Sequence, residues 1–128
     1  MKPLIGLGAA ILSVAVLIVA NVPAPSAAQS APAAPPAFAA CRACHTVVKG
    51  QRSGLGPNLN GVVGRPAASF PGFNYSAALK NSRLSWNEKA LNDFLAAPAK
   101  KVPGTRMAIG MADPAKRAAI IDYLKTQK

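Results

Sequence analysis

The chain predicts an all-α domain, and three observations carry that expectation. No stretch of the C-terminal hundred residues alternates apolar and polar side chains with a period of two. Apolar residues recur instead at helical spacing, as Phe38, Cys41 and Cys44, as Leu91, Phe94 and Leu95, and as Ile120, Ile121 and Leu124. Helix-start signals precede these stripes, with Ser85 three residues before Glu88 and Asp113 directly before Pro114.

The N-terminus reads differently. Lys2 precedes 19 uncharged residues, Leu4 to Val22, and an Ala/Pro/Ser segment follows from Pro23 to Pro36. A basic start, an apolar centre and the small residues Ser26-Ala27-Ala28 fit a secretory signal cut after Ala28. This divides the chain into a signal over 1–28, an Ala/Pro-rich linker over 29–35 and a folded domain over 36–128. The apolar run also approaches the ~20 residues that span a bilayer, so an uncleaved membrane anchor is the alternative for 1–28. Either way Lys2 stays cytoplasmic and the remainder is exported, which places the domain on the periplasmic side. A retained anchor would tether it through a short, stiff, Pro-containing linker.

Pro35 and Pro36 can open a first helix, where the missing amide hydrogens are not needed. This helix is short and runs into Cys41-Arg42-Ala43-Cys44-His45. From Thr46 to Arg65 the punctuation of Gly50, Gly54, Gly56-Pro57, Gly61 and Gly64 marks a long loop. Leu55, Leu59, Val62 and Val63 imply that this loop packs against something apolar. Pro71-Gly72 marks a turn, and Ser76 can cap a short helix through Lys80. Ser85 and Glu88 match a capping box for the helix carrying Leu91, Phe94 and Leu95, which Pro98 stops. Lys100 to Gly110 reads as a loop. Asp113 at the cap and Pro114 at the first helical position start the last helix.

The chemistry concentrates in the first helix. The chain has two cysteines and one histidine, and all three lie in the C-x-x-C-H pattern of covalent c-type haem attachment. On one helical turn both sulfurs face one side, and His45 projects where a neutral imidazole can ligate iron. A redox disulfide would use the same two thiols, but a thioredoxin-like motif should sit beside a βαβ pattern, which is missing. Zinc would want four ligands, and few carboxylates are available to complete the set. Haem attachment occurs outside the bacterial cytoplasm, in agreement with the export signal. A tethered haem would also staple a domain this small and give it apolar surface to bury. Several of its seven aromatic residues are then expected to line the haem.

With one histidine, bis-histidine ligation is excluded. Met107, Met111, a lysine or an open site remain for the sixth position. Met107 is favoured because it lies in a Pro-Gly-Thr loop, whereas a methionine on a helical stripe is commonly core filler.

Beyond the haem motif, the run from Cys41 to the C-terminus resembles the small class I cytochromes c, the mitochondrial cytochrome c and bacterial cytochrome c2 group. The likeness is carried in unbroken order by Gly56-Pro57-Asn58-Leu59, Gly61, Gly64-Arg65, Pro71-Gly72-Phe73-Asn74-Tyr75-Ser76, Ser85-Trp86, Leu91, Leu95 and Pro98. It continues through Pro103-Gly104-Thr105-Arg106-Met107 and Tyr123-Leu124-Lys125. The resemblance implies three main helices and one short helix, with long loops wrapped round one covalent haem c. It implies thioether links at Cys41 and Cys44, His45 and Met107 as iron ligands, and the Pro57 carbonyl accepting from His45. Arg65, Tyr75 and Trp86 match residues at the buried propionates, and Thr105 belongs to the cofactor-binding set. Gly61 and Gly64 match positions where a side chain would strike the haem or the loop backbone, and the first and last helices should cross near Phe38 and Tyr123-Leu124.

Departures from the family pattern carry expectations of their own. Ala34-Pro35-Pro36 replaces a glycine-led first helix, which predicts a short or altered N-terminal crossing. Phe94 stands at a usual tyrosine and Leu79 at a usual asparagine, which predicts a drier haem pocket. The loop after Met107 is shorter by about one residue and lacks the family's phenylalanine, bringing Met111 within reach of the iron.

An iron with two strong axial ligands has no place for substrate, so the expected function is one-electron transfer rather than enzymatic catalysis. The resemblance implies a monomer shuttling between membrane-bound respiratory or photosynthetic complexes. The competing readings are an electron-accepting subunit of a periplasmic dehydrogenase and an open-site, peroxidase-like haem protein. Formal net charge is +11, which steers a carrier toward acidic docking sites such as those of cytochrome bc1, cytochrome oxidase or a photosynthetic reaction centre. Export argues against nucleic acid as the partner. Lys100, Lys101 and Arg106, flanking Met107, are the candidate docking cations.

Overall fold

The computed structural model describes residues 32–128. The signal or anchor, 1–28, and linker residues 29–31 lie outside the described residues. Among these residues no helix is long and apolar enough to cross a membrane. A 3₁₀ turn, Pro36–Phe38, leads into α1, Ala39–Arg42, followed by α2, Ala77–Asn81, and α3, Glu88–Ala96. The order ends with α4, Pro98–Lys101, and α5, Pro114–Thr126. The described residues form no β-strand and one isolated bridge, Pro66 against Ser85.

The core is built where α3 and α5 pack on each other and α5 packs on the Pro36–Phe38 turn. Leu91, Phe94 and Leu95 of α3 are buried, as are Ile120, Ile121 and Leu124 of α5. Each such side chain contributes about 1.5–3 kcal/mol by leaving water. Phe38 is 0% exposed, and its ring lies 4.8 Å from that of Tyr123. The expected crossing is therefore made, by a 3₁₀ turn and a four-residue helix rather than a full first helix.

Local signals place most helix starts. Ser76 Oγ accepts from the Leu79 amide (3.2 Å) at the start of α2. Asp113 Oδ1 accepts from Ala115 and Lys116 (2.9 and 3.3 Å), and Pro114 opens α5. The start of α3 differs from the expected Ser85 capping box. Its N-cap is Asn87, whose Oδ1 accepts from the Ala90 amide at 2.8 Å. Ser85 and Trp86 are held extended instead. The Trp86 amide donates to Arg65 O (2.9 Å) and its carbonyl accepts from Gly64 N (2.8 Å). Glu88 pairs with Lys125 of α5 at 2.9 Å rather than reaching back to a cap. A second difference follows Pro98, which ends α3 and then opens α4, so that Lys100 and Lys101 lie on a helical turn and not in a loop.

The long loop after α1 is tied down at several points. The Gly56 amide donates to Cys44 O, Leu59 N to Thr46 O, and Gly61 N to Gln127 O near the C-terminus (2.9, 2.8 and 2.6 Å). Val62 is buried, and Leu59 and Val63 pack against the core. Leu55 is 84% exposed and lines the central cavity.

The position of the α3 cap is testable by urea unfolding of the haem-loaded protein. Asn87→Ala is expected to cost about 1 kcal/mol, as loss of a helix cap does, and Ser85→Ala less than about 0.5 kcal/mol. The opposite order would contradict this cap.

Candidate functional site

The site begins where α1 unwinds. Cys41 O accepts from both Cys44 N and His45 N (3.1 and 2.9 Å), so the two cysteines and the histidine share one helical turn. Both thiols are free and half-buried. Burial pushes the Cys41 thiol up, partly offset by a backbone hydrogen bond. Among the described residues no three His, Cys, Asp or Glu side chains converge as a metal-ion site.

His45 is fixed by the loop that follows it. Its Nδ1 lies 2.8 Å from Pro57 O, a contact that puts the proton on Nδ1 and leaves the Nε2 lone pair for a metal. Burial lowers the imidazole pKa, and the Pro57 bond offsets this in part. Burial thus favours the neutral ring, the form that can ligate a metal. Gly56 packs against the ring face: a Cβ there would stand 2.7 Å from Nδ1 and 2.8 Å from Nε2. Gly54 is equally tight, with a Cβ only 2.7 Å from Cys44 O. These are the close approaches of the loop. At Gly61 and Gly64 a built Cβ meets no protein atom, so it would not strike the loop backbone, and their φ of +65° and +87° favour glycine.

All nine residues singled out in the sequence line a single cavity of about 500 Å³. Cys41, Cys44 and His45 come from the first turn, Pro57 and Arg65 from the long loop, Tyr75 and Trp86 from the segments before α2 and α3, and Thr105 and Met107 from the loop after α4. Leu79 and Phe94 stand in the same wall, beside Leu91, Leu95 and Ile120. Five of the seven aromatic residues reach the cavity. The others brace it, Phe70 with its ring 5.1 Å from the Arg65 guanidinium and Tyr123 against Phe38.

The few polar groups are specific. Arg65 donates through its two Nη atoms to Asn60 O and Asn58 O (3.0 and 3.2 Å). Its Nε is buried with no protein partner among the described residues. An uncommitted buried cationic donor is costly unless an anion meets it, and a carboxylate would. Tyr75 Oη accepts from the Phe70 amide at 3.2 Å, and burial pushes its pKa up. Thr105 Oγ1 accepts from Met107 N (3.3 Å), and Arg106 Nη1 ties this loop to Asn74 O (2.8 Å). Met111 lines the same cavity, but its amide is bound to Leu95 O (2.7 Å) and its carbonyl to Arg117 Nη1 (2.9 Å). Two thiols, one imidazole, one thioether and one half-buried guanidinium with a buried Nε, in an apolar chamber, fit a c-type haem with carboxylate side arms.

Some residues of the site carry no sequence signal strong enough to single them out. Ile109 lines the cavity although 70% exposed, and its only cue is apolar character beside a glycine. Among the candidate docking cations, Lys101 is spent on Asp93 (3.1 Å), which also binds Lys89 (2.9 Å). These hydrogen bonds hold the Asp93 carboxyl below its usual pKa. Lys100 and Arg106 are exposed.

No family model matches the chain. Known relatives do. Cytochrome c of Sesamum indicum is 49% identical over 86 residues, 66% of this chain and 78% of the relative. Cytochrome c2 of Rhodomicrobium vannielii is 47% identical over 91 residues, 70% of this chain and 73% of the relative. Cytochrome c2 iso-2 of Magnetospirillum fulvum is 46% identical over 94 residues and matched over 97% of its length. Among solved structures, cytochrome cH from Methylobacterium extorquens superposes with a TM-score of 0.66 at 49% identity, covering 70% of this chain and 91% of that one. With this identity and fold behind the cavity and its C-x-x-C-H turn, the chain belongs to the class I c-type cytochromes, the cytochrome c and c2 family of electron carriers with a covalent haem c.

Proposed function

We propose that this cytochrome carries single electrons between membrane-bound respiratory or photosynthetic complexes on the periplasmic side, with His45 and Met107 as its two iron ligands. The observation that supports this most is the meeting, in one apolar cavity, of a His45 ring oriented by Pro57 and the Met107 thioether. Cys41 and Cys44 would hold the haem covalently. The Arg65 Nε, with Tyr75 and Trp86, would meet its carboxylates, and Thr105 steadies the Met107 amide. Met107 is assigned ahead of Met111 because Met111 is pinned to α3 and α5 by both of its backbone polar groups.

When bound, the haem supplies a one-electron iron couple. The chain supplies the surroundings. With His45 and Met107 both holding the iron, no position would remain for a substrate or oxygen. Leu79, Leu91, Leu95 and Phe94 keep the pocket dry, and a thioether in a low-dielectric wall favours the reduced state, raising the potential.

Docking follows from charge. The chain carries +11 overall, and the four acidic residues all lie in the second half. Glu88 and Asp122 pair with Lys125, Asp93 with two lysines, and Asp113 caps α5. The loops around the haem motif therefore contain no acid. Lys100 and Arg106 flank Met107 and suit an acidic face on the partner complex.

Two outcomes test this reading. The ferrous wild-type protein is expected to bind no carbon monoxide at neutral pH, whereas ferrous Met107→Ala binds it with the spectral change of an opened sixth position. Carbon monoxide binding by the wild type, or opening by Met111→Ala in place of Met107→Ala, would contradict the ligand assignment. The second-order rate of electron transfer to an acidic redox complex should fall roughly tenfold or more from low to high ionic strength. A salt-independent rate would contradict docking through the basic face.

A further inference from the structure

Asn58 is among the most deeply buried side chains of the domain, at 0% exposure beside Phe38 and Ile120. A carboxamide in that position is costly unless each polar atom is paired. Here they are all paired. Nδ2 donates to Val48 O (2.8 Å) and Gln51 O (2.7 Å), and Oδ1 accepts from Asn60 N (2.7 Å). The backbone amide donates to Ser53 Oγ (3.0 Å), and the backbone carbonyl accepts from Arg65 Nη2 (3.2 Å). This one residue therefore draws together the loop from Val48 to Asn60.

Its place in the chain gives those bonds a consequence. The Asn58 N–H and the Pro57 C=O belong to the same peptide group, which is planar and stiff. One edge of that plane is held by Ser53 Oγ, and the other faces His45 Nδ1 at 2.8 Å. Gly56, the residue before Pro57, lies flat against the imidazole and closes the remaining direction. Rotation of the plane would swing the carbonyl off the ring.

We propose that Ser53 and Asn58 form a positioning clamp that aims the Pro57 carbonyl at His45 and thereby sets the basicity of the histidine ligand. The proposal rests on the reading of His45 as the iron's histidine ligand. A well-aimed carbonyl draws on the Nδ1 proton, makes Nε2 a stronger donor and stabilises the oxidised iron. A loosened clamp weakens that bond, so the reduction potential rises and the Nδ1 proton exchanges faster with water.

The test uses the haem-loaded protein with Ser53→Ala, Ser53→Thr and Asn58→Ala, reading the reduction potential and His45 Nδ1–H exchange by NMR. Ser53→Ala and Asn58→Ala are expected to raise the potential and speed exchange roughly tenfold or more. Ser53→Thr, which keeps the hydroxyl, should return both to wild type. If Asn58→Ala does not fold, the Ser53 pair decides alone. Variants that lose stability while potential and exchange stay at wild-type values would overturn the clamp and leave Asn58 a structural residue. In the oxidised wild type the His45 ring protons should be shifted by the iron. Their absence from the shifted region would remove the ligand reading itself, and the proposal with it.

Discussion

The contact between the His45 ring and the Gly56-Pro57 backbone is the constraint on which the rest of the domain depends. A histidine ligand is useful only in one tautomer and one orientation. The Pro57 carbonyl selects the tautomer, and the missing Gly56 side chain allows the backbone to lie against the ring. To bring residues 56 and 57 back onto residue 45, the chain must fold a loop over itself without a strand or helix. It does so through backbone bonds to Cys44 and Thr46, and through the buried Asn58 carboxamide. The same loop then supplies Arg65 to the cavity, with its two Nη atoms held by the carbonyls of residues 58 and 60.

Around this loop the helices have a supporting task. The pair α3 and α5 forms one apolar wall, closed at its end by Phe38. Among the described residues little helix precedes the haem motif, and a single fully buried aromatic ring, Phe38, does the work of an N-terminal helix face. The cavity occupies the place where a domain of this size would otherwise have its core. A small domain with so large a central chamber gains the missing burial from its prosthetic group, and the covalent links then serve stability as well as chemistry.

Much of this was legible in the residues. Asp113-Pro114 and Ser76 mark helix starts because capping is a local interaction, decided within one turn. The C-x-x-C-H turn is equally local. What escaped depended on distant partners. Ser85 has the sequence of a cap, but the pairing of Gly64 and Arg65 with Trp86 holds it extended, and Asn87 takes over. Gly61 and Gly64 have positive φ, whereas the close approach to protein atoms in this loop falls at Gly54 and Gly56, for which no local rule distinguishes one glycine from another. Lys101 reads as a free surface cation until α4 turns it toward Asp93. Asn58 stands in plain sight within the Gly-Pro-Asn-Leu run, yet only the folded loop shows that it is buried.

Everything the cavity is built for depends on covalent haem at the Cys41–Cys44 turn. Intact-mass measurement of the protein purified from its exporting host, after treatment with a thiol-alkylating reagent, tests that claim most directly. The predicted result is one haem per chain with neither cysteine alkylated. A chain without haem, bearing two alkylated thiols or a disulfide between Cys41 and Cys44, would contradict it.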